Sequence, residues 1–452
     1  MVYKKILLII LAACILTGAV YADDKIILHL EDEGLEPPPD ITANAAVVIN
    51  LQNESVIYEK RASDIIPPGP TVKIMTAILA AEYILDPSND IDFDTKVVVS
   101  RNVVNNTVGN NIDMKEGEVF SVEQLMHAIL VFNANDACLA IAELISGSVD
   151  SFIIKMNEKA RELGCESTVY ANPHGIHSAN MHTTALDTAK IALYASKIDM
   201  IMDISSVTRF EIPETNRTAS VRNLVNRNHL VSRAQQTRYF YEHARGINSG
   251  STTESGFCLV TTGRQHQNLS YLCVIMGATS ALSAALNAEI INSFGDAQNL
   301  LEWAFMIYAY RTVVRQKEQI STVKIELAAN RDEITLIAEE DIRLLIPQNA
   351  DIDEEIERVV MIYDDRLFAP IEQGQVLGEL SVLYKGEVLG STRLVATADV
   401  EPSNILTVLD HIKNIVARPW FTASVIIFII LSAAYIGISL FFRGRRQRKR
   451  FY

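Results

Sequence analysis

Cysteine, tryptophan and positive charge are all scarce in this chain. Its 452 residues include five cysteines and two tryptophans, and 55 acidic residues outnumber 40 lysines and arginines, for a net charge of −15. No two cysteines stand as a CxxC pair, which removes the spacing that zinc ribbons and dithiol redox centres use. The acidic balance argues against nucleic acid as a partner, because phosphate binding draws on clustered lysine and arginine. No GxSxG, no HExxH and no convincing glycine-rich phosphate loop occurs. Internal repeats and low-complexity tracts are also missing.

The two ends are specialised. MVYKKILLIILAACILTGAVYADD has two lysines, an apolar run and small residues at Val20 and Ala22, the anatomy of a secretory signal peptide over residues 1–22. The alternative is lipid attachment at Cys14, against which the apolar run continues past that cysteine. Trp420 to Phe442 holds no charge in 23 residues. As a helix that stretch is about 34 Å long, against a bilayer core of about 30 Å. RGRRQRKR follows it with six positive charges. The bias of positive residues toward the cytoplasmic side predicts a single span over 420–442, a basic cytoplasmic tail over 443–452 and all preceding domains outside. Cys138, Cys165, Cys258 and Cys273 remain after the signal peptide. Cys258 and Cys273 flank an expected hairpin and could pair across it; buried thiols are the other reading.

Between the ends, AAVVINLQNESVIYEK reads as two strands around a turn at Gln52 to Glu54. An apolar helix follows over about Pro70–Leu85. SVEQLMHAILVFNANDACLAIAELISG gives two helical stretches, the first capped by Ser121. SVDSFIIKMNEKARELG is helical to Gly164, NPHGIH is a loop, and TTALDTAKIALYASK is helical again. GFCLVTTG and LSYLCVIMGA make a hairpin over RQHQN, and a helix is expected from about Ser280 to Tyr310. Early strands, central helices and late strands predict an α+β domain over residues 40–316. From Ile320 the pattern turns to alternating apolar and polar residues between Asn, Asp and Gly turns, which predicts a small all-β domain over 320–402. Residues 403–418 form an amphipathic linker.

Ser-x-x-Lys on a helix would put a hydroxyl and an amine on one face, so that a lysine of lowered pKa could deprotonate the serine. The one literal match, Ser321 to Lys324, lies in a period-2 segment where positions three apart face opposite ways. It is excluded on that ground. His174, His177 and His182 cluster in sequence without a nearby carboxylate or thiolate set, so no metal and no cofactor is expected.

The motifs GEVFSVEQLMHAIL, NANDACLAIAELISGS, MNEKARELGCESTVYANPHGIH, HTTALD, NRNHL and SGSTTESGFCLV occur in an order that resembles the D-alanyl-D-alanine carboxypeptidases, the low-molecular-mass penicillin-binding proteins. EQGQVLGELSVLYKGEVL resembles their C-terminal β domain. The resemblance runs from about Ala43 to Val400 and implies a serine β-lactamase/DD-peptidase-like domain followed by the small β domain. It also implies a peptidoglycan stem peptide as ligand.

That family's chemistry rests on Ser-x-x-Lys, Ser-x-Asn and Lys-Thr-Gly. The resemblance places Pro70-Thr-Val-Lys73 on the first, Asn133-Ala-Asn135 on the second and Asn248-Ser-Gly250 on the third. The nucleophile, the proton-relaying serine and the carboxylate-binding lysine are therefore all replaced, and no catalytic set is intact. Thr71, one residue on and about 100° around the helix, is the nearest spare hydroxyl. A groove lined by Asn133, Asn135, Asn248, Ser249 and Thr252 could still hold a peptide by hydrogen bonds. The expectation is a pseudoenzyme that binds stem peptide or scaffolds an envelope protein at the bacterial cell membrane. The alternative is an active but divergent serine-type carboxypeptidase.

Overall fold

The computed structural model describes residues 36–233, 237–265, 269–283 and 288–448. The signal-peptide segment, Cys14 and the last four residues of the basic tail lie outside them. Two compact units meet in sequence at Ala309 and Tyr310.

The first unit is built on a five-stranded antiparallel sheet. Its strands are β1 (Ala45–Asn50), β2 (Val56–Lys60), β3 (Ala244–Thr252), β4 (Gly256–Arg264) and β5 (Ser270–Ala278), in the spatial order β2-β1-β5-β4-β3. All six residues of β1 are buried, because helices cover both faces of the sheet and alternation toward solvent has no place there. Val47, Ile49, Val260, Leu272, Val274 and Met276 point into the larger core. Against that face pack α1 (Val72–Leu85), α5 (Ala185–Ser196) and α6 (Asp199–Ser205), and around α1 in turn pack α2 (Val122–Leu130), α3 (Asn135–Ser146) and α4 (Val149–Glu162). The opposite face takes α7 (Asn292–Ile307), where the Tyr271 ring meets Phe305 at 5.1 Å and its hydroxyl donates to the Ala304 carbonyl at 3.3 Å.

Ser121 caps α2 in a reciprocal box: its side chain accepts from the Gln124 N–H and the Gln124 side chain accepts from the Ser121 N–H. Small residues along α3 (Ala137, Cys138, Ala140, Ala142) let it sit buried among α1, α2 and α4. The segment after Ser280 departs from expectation. Ser280–Ser283 pairs with Ala288–Ile291 as a short hairpin, and the helix starts only at Asn292. SALSAALNAEII is rich in helix-forming alanine and leucine, but strand pairing overrides that weak local preference.

Cys138, Cys165, Cys258 and Cys273 are buried thiols in no disulfide. The β4–β5 register explains the last two. Cys273 lies opposite Thr261, and a bulge follows Phe257, so Cys258 is not the cross-strand neighbour of Cys273.

The second unit begins within β6 (Tyr308–Val314) and contains β7 (Gln319–Glu326), β8 (Glu333–Ala338), β9 (Ile342–Pro347), β10 (Ile356–Ile362), β11 (Val376–Tyr384) and β12 (Glu387–Ala396). A six-stranded sheet runs β10-β11-β12-β8-β7 and ends in the short strand Leu367–Phe368, while β6 pairs with β9. Ser321 and Lys324 both lie in β7, opposite Leu336 and Glu333. That places the literal Ser-x-x-Lys on a strand. Two helices follow, α8 (Asn404–Val416), capped by the Ser403 side chain, and α9 (Pro419–Arg448). Pro419–Ser439, with mean hydropathy 2.3, is long and apolar enough to cross a membrane.

Candidate active site

A turn of 3-10 helix, Gly69–Thr71, leads into α1 and places Pro70 and Lys73 on one end of that helix. Proline suits this position because a helix start leaves its first N–H groups without intrahelical partners. Lys73 is 2% exposed. Its Nζ donates to the His174 carbonyl at 2.6 Å, and one turn later Thr76 donates to the Pro173 carbonyl at 2.6 Å. Burial pushes the Lys73 amine below its ordinary pKa. The His174 imidazole is pushed down to about 4, first by burial and then by the Lys73 charge.

The loop carrying His174 is shaped by Asn172, whose Oδ1 accepts from the N–H groups of His174 and Gly175 and whose Nδ2 donates to the Ile176 carbonyl at 2.7 Å. Gly175 has φ +87°, and a Cβ there would lie 2.0 Å from the Gly69 carbonyl oxygen. NPHGIH thus buttresses the Gly69–Pro70 segment at the start of α1.

Asn133 sits in the turn between α2 and α3 with φ +63°, a left-handed conformation asparagine tolerates better than most residues. That conformation aims its side chain at β3. Its Nδ2 donates to the Ser249 carbonyl, and its Oδ1 accepts from Asn248 Nδ2 at 2.6 Å. Ser249 Oγ donates to the Arg227 carbonyl at 2.7 Å. Asn135 opens α3, its N–H bonded to Asn110 O at 2.7 Å and its Nδ2 to Val108 O at 2.6 Å. Oδ1 of Asn135 and Oδ1 of Asn248 are buried and accept no hydrogen bond from any described residue. Pro70 packs directly on β3: a Cβ on Gly250 would lie 2.9 Å from Pro70 Cγ and 3.4 Å from Asn133 Nδ2. The segments around Pro70, Asn133 and Asn248–Gly250 therefore converge on one spot.

A cleft of about 700 Å³ opens there, beside β3, which is an edge strand. Pro70, Lys73, Asn133, Asn135, Ser249, Gly250 and Thr252 line it. Asn248 does not; it is 2% exposed and its amide is spent on Asn133. Among the histidines singled out in the sequence, His174 and His177 reach the cleft, whereas the His182 backbone pairs with Val169. No group of three metal-ligating side chains occurs among the described residues. Sequence reasoning passed over Arg227, which also lines the cleft. NRNHL was singled out only as a family-like motif, and nothing local marks its arginine as a cleft residue.

The hydroxyl next to Pro70 in sequence and that of Thr252 on the cleft wall are both engaged elsewhere. Thr71 Oγ1 donates to the Pro68 carbonyl at 2.8 Å and is buried. Thr252 Oγ1 pairs with Ser255, accepting from its N–H at 3.0 Å. Burial pushes the Cys138 thiol up to about 12, which keeps it protonated and a poor nucleophile despite the nearby Lys73.

Asp136, 1% exposed, fastens the loop before α2 to the start of α3 by accepting from the N–H groups of Ile112 and Met114 at 3.0 and 3.3 Å. Burial outweighs these bonds and raises its pKa to about 6. A carboxyl whose folded pKa is raised binds its proton more tightly in the folded state. Its contribution is therefore complete below the unfolded value near 3.8 and is lost as pH rises toward about 6. Asp136→Asn removes this dependence while keeping an acceptor. The melting temperature of the unaltered protein, measured relative to the variant, should rise as pH falls from 7 to 4.5, by an amount equivalent to roughly 2 kcal/mol. A pH-independent difference would refute the assignment.

A helical lobe packed on an antiparallel sheet, with a buried lysine at a helix start facing the edge strand across a cleft, defines the penicillin-binding-protein class of fold. The chain belongs to the D-alanyl-D-alanine carboxypeptidase family, whose model matches residues 33–280, and the model described as Penicillin-binding protein 5, C-terminal domain, matches residues 308–402. Among relatives, D-alanyl-D-alanine carboxypeptidase DacF of Bacillus subtilis is 28% identical over 367 residues, covering 81% of this chain and 88% of its own. D-alanyl-D-alanine carboxypeptidase DacC of Escherichia coli is 24% identical, over 80% of this chain and 85% of its own. Penicillin binding protein 5 from Haemophilus influenzae shares the fold with a TM-score of 0.60 at 22% identity, over 81% of this chain and 99% of its own.

Proposed function

We propose that this chain is a membrane-anchored, catalytically silent member of its family that holds a peptidoglycan stem peptide in the cleft without cleaving it. The observation that carries this reading is the Pro70 ring packed on Gly250 at the position where the family keeps its nucleophilic serine. The hydroxyl of Thr71 faces away onto the Pro68 carbonyl, so no neighbouring oxygen replaces the missing one. What remains is a polar cleft beside the edge strand β3, an arrangement suited to an extended peptide that lies along that strand.

One observation favours the rival reading of a divergent active carboxypeptidase: Lys73 is retained, buried and lowered in pKa, the state a general base needs. The two readings separate on a single assay. Acyl-D-alanyl-D-alanine should bind weakly, in the high micromolar to millimolar range, with no release of D-alanine. Efficient release would establish the enzyme. No binding at millimolar peptide would leave scaffolding of an envelope protein in its place.

The apolar Pro419–Ser439 stretch and the basic residues after it support a single span, with the domains outside the bacterial cell membrane and the tail in the cytoplasm. Protease added to intact cells with the wall removed should digest both domains and spare the tail from Arg443 onward. A tail cut from outside would reverse the orientation.

A further inference from the structure

A second cavity, of about 300 Å³, lies beside the cleft. It opens between residues 111–115 and the hairpin that pairs Arg209–Ile212 with Arg222–Val225. A thin wall divides it from the cleft. Asn110 lines the cleft and Asn111 the cavity, and Asn110 Nδ2 donates at 2.5 Å to the carbonyl of Phe132, itself a cavity residue. Arg222 holds the loop in place. Its Nε donates to the Ile112 carbonyl at 2.7 Å, and its Nη2 donates to the Asp113 carbonyl at 3.2 Å and the Glu118 carboxylate at 3.1 Å. Its Nη1 is buried and bonds to no described residue. The wall therefore carries one hydrogen-bond donor that has lost water and gained nothing. Asp113, Ser220 and Asn223 line the cavity at its exposed rim.

The lining decides the class of ligand. Asp113 brings a carboxylate, and Lys115 and Arg222 bring cations, so both signs share one small wall. An anionic ligand would lie against Asp113 and an amine against Lys115 and Arg222, each repelled at close range. A neutral ligand rich in hydroxyls meets neither objection, because every hydroxyl both donates and accepts. Asn223 and Ser220 are neutral partners of the same two-way kind. Phe132 and Leu224 add an apolar patch for C–H groups. The volume stands at the lower end of the range for ligand cavities, about 300–1,000 Å³, which suits one sugar unit better than an extended chain.

We propose that this cavity is a saccharide subsite that takes an N-acetylated amino sugar. Sugar hydroxyls bond to Asp113 and Asn223 at the rim. The acetamido group supplies a carbonyl oxygen as acceptor for the spare Arg222 donor and a methyl for the patch at Phe132 and Leu224. The proposal deepens the peptide-binding reading given above and rests on it. The ligand is then a stem peptide still attached to its glycan, with the peptide in the cleft and the sugar across the wall formed by Asn110 and Phe132.

The test uses the full-length protein in micelles of a detergent without a sugar head group, titrated calorimetrically with three probes. These are an acyl-D-alanyl-D-alanine peptide, an N-acetylglucosamine disaccharide, and a muropeptide carrying an N-acetylated disaccharide on the same peptide. The muropeptide should bind about tenfold more tightly than the peptide, and the disaccharide weakly, at millimolar concentration. Asn223→Trp fills the cavity from an exposed strand position; it should reduce the muropeptide to the level of the peptide and leave peptide binding within about twofold. Asp113→Asn keeps a residue that tolerates φ +57° and removes the carboxylate, and should weaken the muropeptide about threefold. Melting curves of both variants check the fold, and the comparison of probes in the unaltered protein needs no variant. Equal binding of muropeptide and peptide, or an unchanged ratio in a folded Asn223→Trp, overturns the subsite and leaves peptide binding intact. Failure of the bare peptide, with the disaccharide bound and displaced by Asn223→Trp, keeps the subsite and removes the peptide-binding reading. Failure of all three probes removes both.

Discussion

Mixed with a fluorescent penicillin, the unaltered protein will acquire no covalent label, and Pro70→Ser alone will restore little or none. The triple variant Pro70→Ser, Asn133→Ser, Asn248→Lys will acquire label slowly. The reasoning follows from how catalytic groups act as a unit. Loss of a serine nucleophile costs a hydrolase roughly a million-fold in turnover, and one restored member gains little while its partners are missing. Pro70→Ser removes the ring lying on Gly250 and puts a hydroxyl within the first turn of Lys73. Asn133 still bridges to Ser249 and Asn248, however, and no ammonium faces the ligand.

Asn133→Ser dissolves that bridge and supplies the proton relay, at the cost of placing serine at φ +63°, a strain of about 1–2 kcal/mol. Asn248→Lys then has room to reach the cleft, because the amide it replaces no longer has a partner to hold. Labelling of the unaltered protein would show that a nucleophile exists where none was assigned. A folded triple variant that stays unlabelled would show that backbone drift, beyond the side chains, separates this site from an active one.

Gly175→Ala should destabilise the first unit by about 3–5 kcal/mol, combining left-handed strain with a backbone clash that no rotamer relieves. Its Cβ would stand 2.0 Å from the Gly69 carbonyl oxygen and 3.1 Å from Pro70 Cα. Something must move, and the loop holding the His174 carbonyl on Lys73 is the part that can. A fall in melting temperature of roughly 10 °C is expected for a unit of this size. Gly147→Ala is the control: that glycine also has positive φ, +72°, but a Cβ there meets nothing within 4 Å. It should lose only the strain, about 1–2 kcal/mol. Equal effects from the two substitutions would mean that the buttress under Gly69 and Pro70 yields freely.

The amino-acid order disclosed what is decided locally. The β1–β2 pair, the Ser121 cap and the helix carrying Lys73 each follow from a short pattern and stand where expected. The hairpin at Ser280–Ile291 was hidden because its helix-forming composition conflicts with a pairing that only the fold supplies. The site divided along the same line. Motif resemblance brought Pro70, Asn133 and Ser249 to attention. It could not disclose that Asn133 turns left-handed and reaches across 116 positions to Ser249, nor that Asn248 faces inward behind it. Arg227 escaped for the same reason: its exposure to the cleft depends on contacts with Val131, Phe132 and Ser249, far away in sequence.

The four buried thiols carry a consequence for how this protein reaches its final state. Because no disulfide joins Cys138, Cys165, Cys258 and Cys273, closure of the described fold takes no electrons from the chain. A fold of this kind needs no thiol oxidase and no isomerase to sort pairings among these four cysteines. Its assembly is indifferent to the presence of oxygen, and a habitat without an oxidant imposes no penalty on it.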